Sequence, residues 1–371
     1  MSVKAATRVA FRVDASLDIG SGHVMRCLTL ARVLRERGAQ CYFVSRMHAG
    51  HLCDMITADG FRVMPLPAVV AGPAVAEQDE YRRWLGVSQE QDARETATNL
   101  ATVAPLDWLV VDHYALGAPW ELSLKGYYGK LLAIDDLVNR EHVADLLLDQ
   151  TFMRDAGDYR PWVNAECVLL CGVEHVLLRP EFDLWRAPSL ARRKQASLQR
   201  ILISLGGVDR DNVTRTVLLA LDEVAAQGGI DIDVVLGGSS PWIDDIRGLI
   251  ATLAANVQLH VNAHNMAELL AGCDLAIGAA GTSAWERCCL GVPTLMLVLA
   301  ANQAEIGAKL GQSGVACMLV NDAALAGELA STVAAFSAEP AMLAKMSVRA
   351  AALVGGNGAA RLADAMMLGH A

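Results

Sequence analysis

The sequence has no long apolar run, no long basic run and no Cys-x-x-Cys. Its apolar stretches are short, as in residues 293–301, whereas a membrane-spanning helix needs about 20 apolar residues, so membrane insertion is not expected. Residues 1–8 run straight into a strand-like segment. No cleavable leader is therefore expected, and the cytoplasm is the expected compartment. A net charge of −10 with no basic cluster disfavours nucleic acid, whose binding rests on Lys and Arg neutralising phosphates. It still leaves room for a small anionic ligand, which needs only a local site. The nine cysteines follow no zinc or disulfide pattern, and Cys288 and Cys289 are adjacent. They are expected to be reduced, mostly buried thiols.

What the chain does have is apolar material. The hydrophobic fraction is 53% and the charged fraction 19%, a balance that excludes disorder and supplies large cores. A length of 371 residues suggests two domains. Short apolar segments alternate with helical ones. Thr7–Val13, Gln40–Ser45, Trp108–Asp112, Lys130–Asp135 and Leu146–Asp149 read as strands of a first series. Several are continuous apolar runs, as parallel strands buried on both faces require. Between the first two, Val24, Cys27, Leu28, Ala31 and Leu34 make an apolar stripe at helical spacing, and Gly38 marks its stop.

Residues 183–199 are basic, polar and proline-bearing and read as a linker. The alternation then restarts with Arg200–Leu205, Asp231–Leu236, Val257–Val261, Leu275–Ile277 and Pro293–Val298. The fold class expected is α/β, with two Rossmann-like doubly wound domains facing across a cleft. The first would span 1–185 and the second 186–371, with the last helix able to cross back. A ligand would then sit beyond the C-terminal strand ends, in the cleft.

Five constellations are candidates for chemistry. Asp14 to Arg26 joins the first strand to the first helix. There Gly20 and Gly22 allow close backbone approach, and His23 lies in the first helical turn as a candidate base. A surface histidine on a plain turn would read the same way. Ser204 to Asn212 carries Gly206 and Gly207 between a strand and a helix, a candidate phosphate loop. The plainer reading is a turn, with Asp209 or Asp211 capping the helix. In the third, Gly281, Thr282 and Ser283 are candidate phosphate contacts. Glu286 is either a ribose acceptor or the fourth residue of a Ser283-x-x-Glu286 capping box. Asn302 and Gln303 follow a buried strand and suit ligand contact or a helix cap. Asp112, Tyr114, Asp135 and Asp136 fall at strand ends, where carboxylates orient His23, bind sugar hydroxyls or cap helices. No metal-ligand pattern emerges, and no cofactor is implied.

Taken in order, Gly20-x-Gly22-His23-x-x-Arg26, Asp112-His-Tyr114, Ile134-Asp-Asp136, residues 178–182, Ser204-Leu-Gly-Gly207 and Leu299-x-x-Asn302-Gln303 resemble the PseG family. These are UDP-2,4-diacetamido-2,4,6-trideoxy-β-L-altropyranose hydrolases of pseudaminic acid biosynthesis. The resemblance covers nearly the whole chain. The third constellation also resembles the UDP-binding half of MurG-type glycosyltransferases, which share the GT-B fold. The resemblance implies a metal-independent UDP-sugar hydrolase. It gives His23 a role at the attacking water, with Asp14 or a neighbour assisting, and it points to Tyr114 as a catalytic residue. Asn302 would lie near the pyrophosphate and Glu286 on the ribose. Gly20, Gly22, Arg26, Gly206, Gly207, Gly281, Thr282, Ser283 and Gln303 complete the expected substrate contacts. The rivals are a GT-B glycosyltransferase and a non-catalytic nucleotide-sugar binder. The extra sequence around Ala68–Asp92 leaves the sugar pocket open.

Overall fold

The computed structural model describes residues 6–68, 80–195, 197–299 and 303–368. The chain forms two compact units. Unit 1 comprises Met1–Leu178 and Asn357–Ala371, and unit 2 comprises Arg179–Gly356. The division falls at Leu178/Arg179, not at 185/186, and the C-terminal helix Gly358–Leu368 belongs to unit 1. There it packs on the helix Gly22–Glu36, and Trp108 donates its indole N–H to the Met366 carbonyl at 2.9 Å.

Unit 1 holds a seven-stranded sheet. Its strands are β1 (Arg8–Val13), β2 (Gln40–Arg46), β3 (Arg62–Leu66), β4 (Leu106–Asp112), β5 (Tyr128–Ile134), β6 (Leu146–Asp149) and β7 (Val168–Cys171). The order is β3-β2-β1-β4-β5-β6-β7 and every pairing is parallel. Alternation along the strands explains why both faces are covered. Val9, Phe11, Trp108 and Val110 join the core beneath Gly22–Glu36, whereas Ala10, Leu109 and Val111 join the core on the opposite face. A strand buried on both sides has no polar register to reveal its period, which is why these segments read as unbroken apolar runs.

Unit 2 repeats the plan with β8 (Arg200–Ser204), β9 (Asp231–Leu236), β10 (Val257–Val261), β11 (Leu275–Ala279), β12 (Thr294–Leu297) and β13 (Cys317–Leu319). The order is β10-β9-β8-β11-β12-β13, again all parallel. Both units are doubly wound α/β. In each, the strand order reverses once, between β1 and β4 and between β8 and β11, and the connections there leave on opposite sides. Such switch points open a crevice at the C-terminal strand ends, where ligands of these sheets bind.

The expected linker is a correction. Residues Pro180–Arg192 form a helix that tolerates Pro188 inside it. Arg186 and the C-cap residue Arg193 are turned inward, whereas Arg192 is exposed. Arg186 donates to the carbonyls of Cys289, Ala351 and Val354, and Arg193 to those of Leu270 and Cys273. These are orphan carbonyls at the C-terminal ends of other helices, where cations are favoured. The short strands β3, β7 and β13 were not expected.

Candidate active site

The switch point of unit 1 brings two sequence-distant groups together. Asp112 ends β4, and His23 stands in the first turn of the helix that follows β1. The connection is a tight turn in which Gly20 donates to the Ser16 carbonyl with φ +78°, a conformation that favours glycine. His23 Nδ1 lies 2.6 Å from Asp112 Oδ1. Burial alone would raise the Asp112 carboxyl, but Arg26 and then His23 outweigh it and hold it well below the usual range. An ionised carboxylate only accepts. Nδ1 of the neutral imidazole therefore carries the proton, and Nε2 keeps a free lone pair. The His23 side chain is 11% exposed. This is the geometry of an oriented general base.

Arg26 does not reach outward as a substrate contact. It grips Asp112 with Nε and Nη2 at 2.6 and 2.7 Å, and Asp136 with Nη1 at 2.8 Å. Tyr114 donates its hydroxyl to the same Asp136 oxygen at 2.7 Å. Burial first, then Asp136, push the phenol well above its ordinary value, so Tyr114 stays neutral. Its ring meets His23 edge-on at 4.7 Å. Asp14 is also a correction: it does not touch His23. One oxygen accepts from Arg12 at 2.6 Å and from the Arg46 amide at 2.7 Å, and the other faces His113 Nε2 at 3.3 Å. His113 Nδ1 accepts from the Ala115 amide at 3.1 Å, so the neutral ring carries its proton toward Asp14. Asp14 is a buried anchor for the ends of β1, β2 and β4.

Sequence reasoning gave Asp112 only an open role and missed Asp92, Tyr81 and Trp84. Asp92 lies in the segment left in doubt. It accepts from Arg12, Arg46, Thr96 and Trp120 and is fully buried. No periodicity could reveal it, since its partners come from three other elements.

The switch point of unit 2 is lined by smaller groups. Gly206 follows β8 with φ +108°, and a Cβ added there or at Gly207 would meet nothing within 4 Å. The helix after this loop begins only at Val213, and its N-terminus is already filled. Asp209 accepts from the amides of Val213 and Thr214 at 3.0 and 2.9 Å. The expected phosphate site at that helix end is therefore a carboxylate cap. Asp211 is not a partner in that cap.

After β11, Gly281 and exposed Thr282 lead into the helix Ser283–Cys289. The capping box is not formed. Thr282 takes the cap position with no side-chain bond, and the Ser283 hydroxyl accepts from Arg287 at 3.1 Å. Glu286 instead lies 3.5 Å from Arg179, with its side chain 21% exposed. Burial, opposed by Arg179, raises its carboxyl above the ordinary value. After β12, the Gln303 side-chain oxygen accepts from the Leu299 amide at 3.0 Å, and its nitrogen approaches Gly281. Asn302 lies outside the described residues, as does 69–79 of the extra segment.

Among the described residues no three His, Cys, Asp or Glu side chains group as metal ligands, and no helix is long and apolar enough to cross a membrane. The nine cysteines are unpaired, and burial pushes Cys273 and Cys288 up to about 12. A pocket of about 700 Å³ lies elsewhere in unit 2 beside β13, against Met318, Phe336 and Met346.

No protein-family model matches the chain. It is 24% identical over 78% of its length to an uncharacterised protein of Methanocaldococcus jannaschii, and spans 55% of that protein. It is 25% identical to the UDP-2,4-diacetamido-2,4,6-trideoxy-β-L-altropyranose hydrolase of Campylobacter jejuni, over 71% of this chain and 81% of that one. Among solved structures, MurG of Acinetobacter baumannii superposes with a TM-score of 0.67 at 16% identity, covering 98% of this chain and 100% of that one. The fold is the one known as GT-B.

Proposed function

We propose that the chain hydrolyses a UDP-sugar by attack of water at the anomeric carbon. The observation that carries this reading is the Asp112–His23 pair, with Nε2 of the imidazole left open at a switch point. In the proposed step, His23 Nε2 takes a proton from water as the water oxygen bonds to the anomeric carbon. The bond from that carbon to the bridging oxygen breaks, and UDP departs with the oxygen. The configuration inverts, and the proton passes to solvent. UDP is a good leaving group, so the step needs a base more than an acid.

The nucleotide is assigned to unit 2. Glu286 would accept from the ribose hydroxyls, a role supported by its partial exposure and by the absence of a capping box. Thr282, Ser283, the Gly206–Gly207 loop and Asn302 are assigned to the diphosphate. The sugar is assigned to unit 1, and its type follows the relative from C. jejuni: a 2,4-diacetamido-2,4,6-trideoxy sugar. Tyr114 and Arg26 act by holding Asp136 and Asp112 in place around His23.

A second reading is supported by the likeness to MurG. The same base would serve a glycosyltransferase whose acceptor hydroxyl replaces water. One experiment separates the two. The protein is incubated with UDP-sugars in ¹⁸O-water and chelator, without an acceptor. The expected result is free UDP, with the label on the sugar. Label in UDP, or activity that vanishes in chelator and returns with Mg²⁺, would overturn the mechanism, because attack at phosphorus recruits that ion. UDP release only after an acceptor is supplied would favour the transferase.

A further inference from the structure

The helix Glu80–Leu85 places two aromatic side chains beside the proposed base. Tyr81 and Trp84 are three residues apart and therefore share one helix face. Trp84 stacks on Tyr114 with ring centres 5.8 Å apart and meets His23 edge-on at 6.2 Å. Tyr81 closes the group at 5.0 Å from Trp84 and 5.2 Å from Tyr114. The three rings together form an aromatic wall beside His23. The Tyr114 hydroxyl is engaged by Asp136.

Trp84 differs in one respect from two other tryptophans of unit 1. Trp108 donates its indole N–H to the Met366 carbonyl at 2.9 Å, and Trp120 donates to Asp92 at 3.0 Å. Trp84, only half-buried, has no hydrogen-bond partner for its N–H among the described residues. Tryptophan offers a broad apolar face and a single donor, and fixing it costs little conformational entropy. A group that matches both features has a methyl to lie on the ring and a carbonyl to accept the N–H. A sugar hydroxyl has no apolar part to lie on the ring.

We propose that Trp84 is the specificity-determining residue of this site and recognises an N-acylamino group next to the anomeric carbon. The acyl methyl packs on the indole, and the acyl oxygen accepts from Nε1. This rests on the hydrolase reading only in placing the sugar beside His23. It assigns the specificity to residues 80–85, within the stretch that sequence reasoning left without a role.

The test is calorimetric titration of wild type, Trp84→Phe and Trp84→Ala with UDP, UDP-glucose and UDP-N-acetylglucosamine. Wild type is expected to bind the N-acetyl sugar more tightly than UDP-glucose. Trp84→Phe keeps an aromatic face and loses the donor, so affinity for the N-acetyl sugar should fall about 2–10-fold, the range of one neutral hydrogen bond. Trp84→Ala should lose more. Both variants should bind UDP and UDP-glucose within about two-fold of wild type, a result that also shows they are folded. Equal losses on UDP-glucose, or no preference in wild type, would overturn the proposal and leave Trp84 a packing residue. Wild-type protein that binds no UDP would instead remove the hydrolase reading, and with it the sugar on which this inference rests.

Discussion

The two switch points occupy equivalent places in their sheets and are built from opposite materials. In unit 1 the ends of β1 and β4 are crowded with buried charge. Arg12, Asp14, Arg46, Asp92 and Asp112 are each 1% exposed or less. In unit 2 the corresponding ends carry Gly206, Gly207, Ala280 and Gly281, and the space over Gly206 and Gly207 is open. A dense ion-pair network cannot adapt cheaply, because removing one partner strands the other charge in a low-dielectric site. It suits a place where one side chain must hold one orientation. A glycine-lined rim offers backbone at close range and suits an anion that brings its own charge. The contrast between a fixed unit 1 and an accommodating unit 2 can be tested.

Acid should give the largest effect. Burial would raise the carboxyls of Asp14, Asp92, Asp112 and Asp136, yet their arginine partners hold all four below the usual range. A carboxylate lowered on folding adds stability that is full above its unfolded value near 4 and drains as pH falls toward the folded value. Glu286 of unit 2 shifts the other way and loses nothing on acidification. Pepsin cleavage at pH 3, mapped by mass spectrometry, should therefore appear first in unit 1. First cuts in unit 2 would end the contrast.

Next in size is His23→Leu. Turnover should drop by about 10²–10⁴, the usual scale for losing a general base, while UDP affinity stays within a few-fold. Steady-state rates and a UDP titration on one preparation check this. Near wild-type turnover would show that His23 is not the base.

Glu286→Gln probes unit 2. If Glu286 accepts from ribose, UDP binding should weaken by about 1–3 kcal/mol with an unchanged Tm. The opposite pattern, a lower Tm with intact affinity, would return Glu286 to a helix-stabilising role.

Asp209→Ala should do least. Losing the cap of Val213–Gly228 should cost about 0.5–2 kcal/mol of stability in denaturant melts. It also exposes the helix end, so affinity for UDP should hold or rise. A large fall in UDP affinity would make Asp209 part of the ligand site.

The sequence showed most strands of both sheets through their apolar and β-branched residues. Asp231–Leu236 and Val257–Val261 match β9 and β10 in full. The strands β3, β7 and β13 were missed: β3 carries Pro65, which argues against a strand, and β7 and β13, four and three residues long, are too short to show a period. Pro188 and the arginines at 186, 192 and 193 made this stretch look like a linker, because local composition does not say which carbonyls wait nearby. In the site, His23 was legible from its glycine turn. Its partner was not fixed. Asp14 lies nearer in sequence than Asp112, and only the β1–β4 adjacency puts Asp112 within 2.6 Å.

By itself the sequence determined the doubly wound class, through apolar runs at regular intervals, and the residues that turn the chain at the strand ends. Those are local properties of hydrophobic pattern and backbone freedom. Tertiary structure alone decided how the charged groups pair. Asp14 faces Arg12 and His113, Asp112 faces His23 and Arg26, and Asp209 fills the helix end that a phosphate was expected to take. A carboxylate takes its role from the donors that reach it, and for these three those donors come from residues as many as 99 positions away, as for His113 and Asp14.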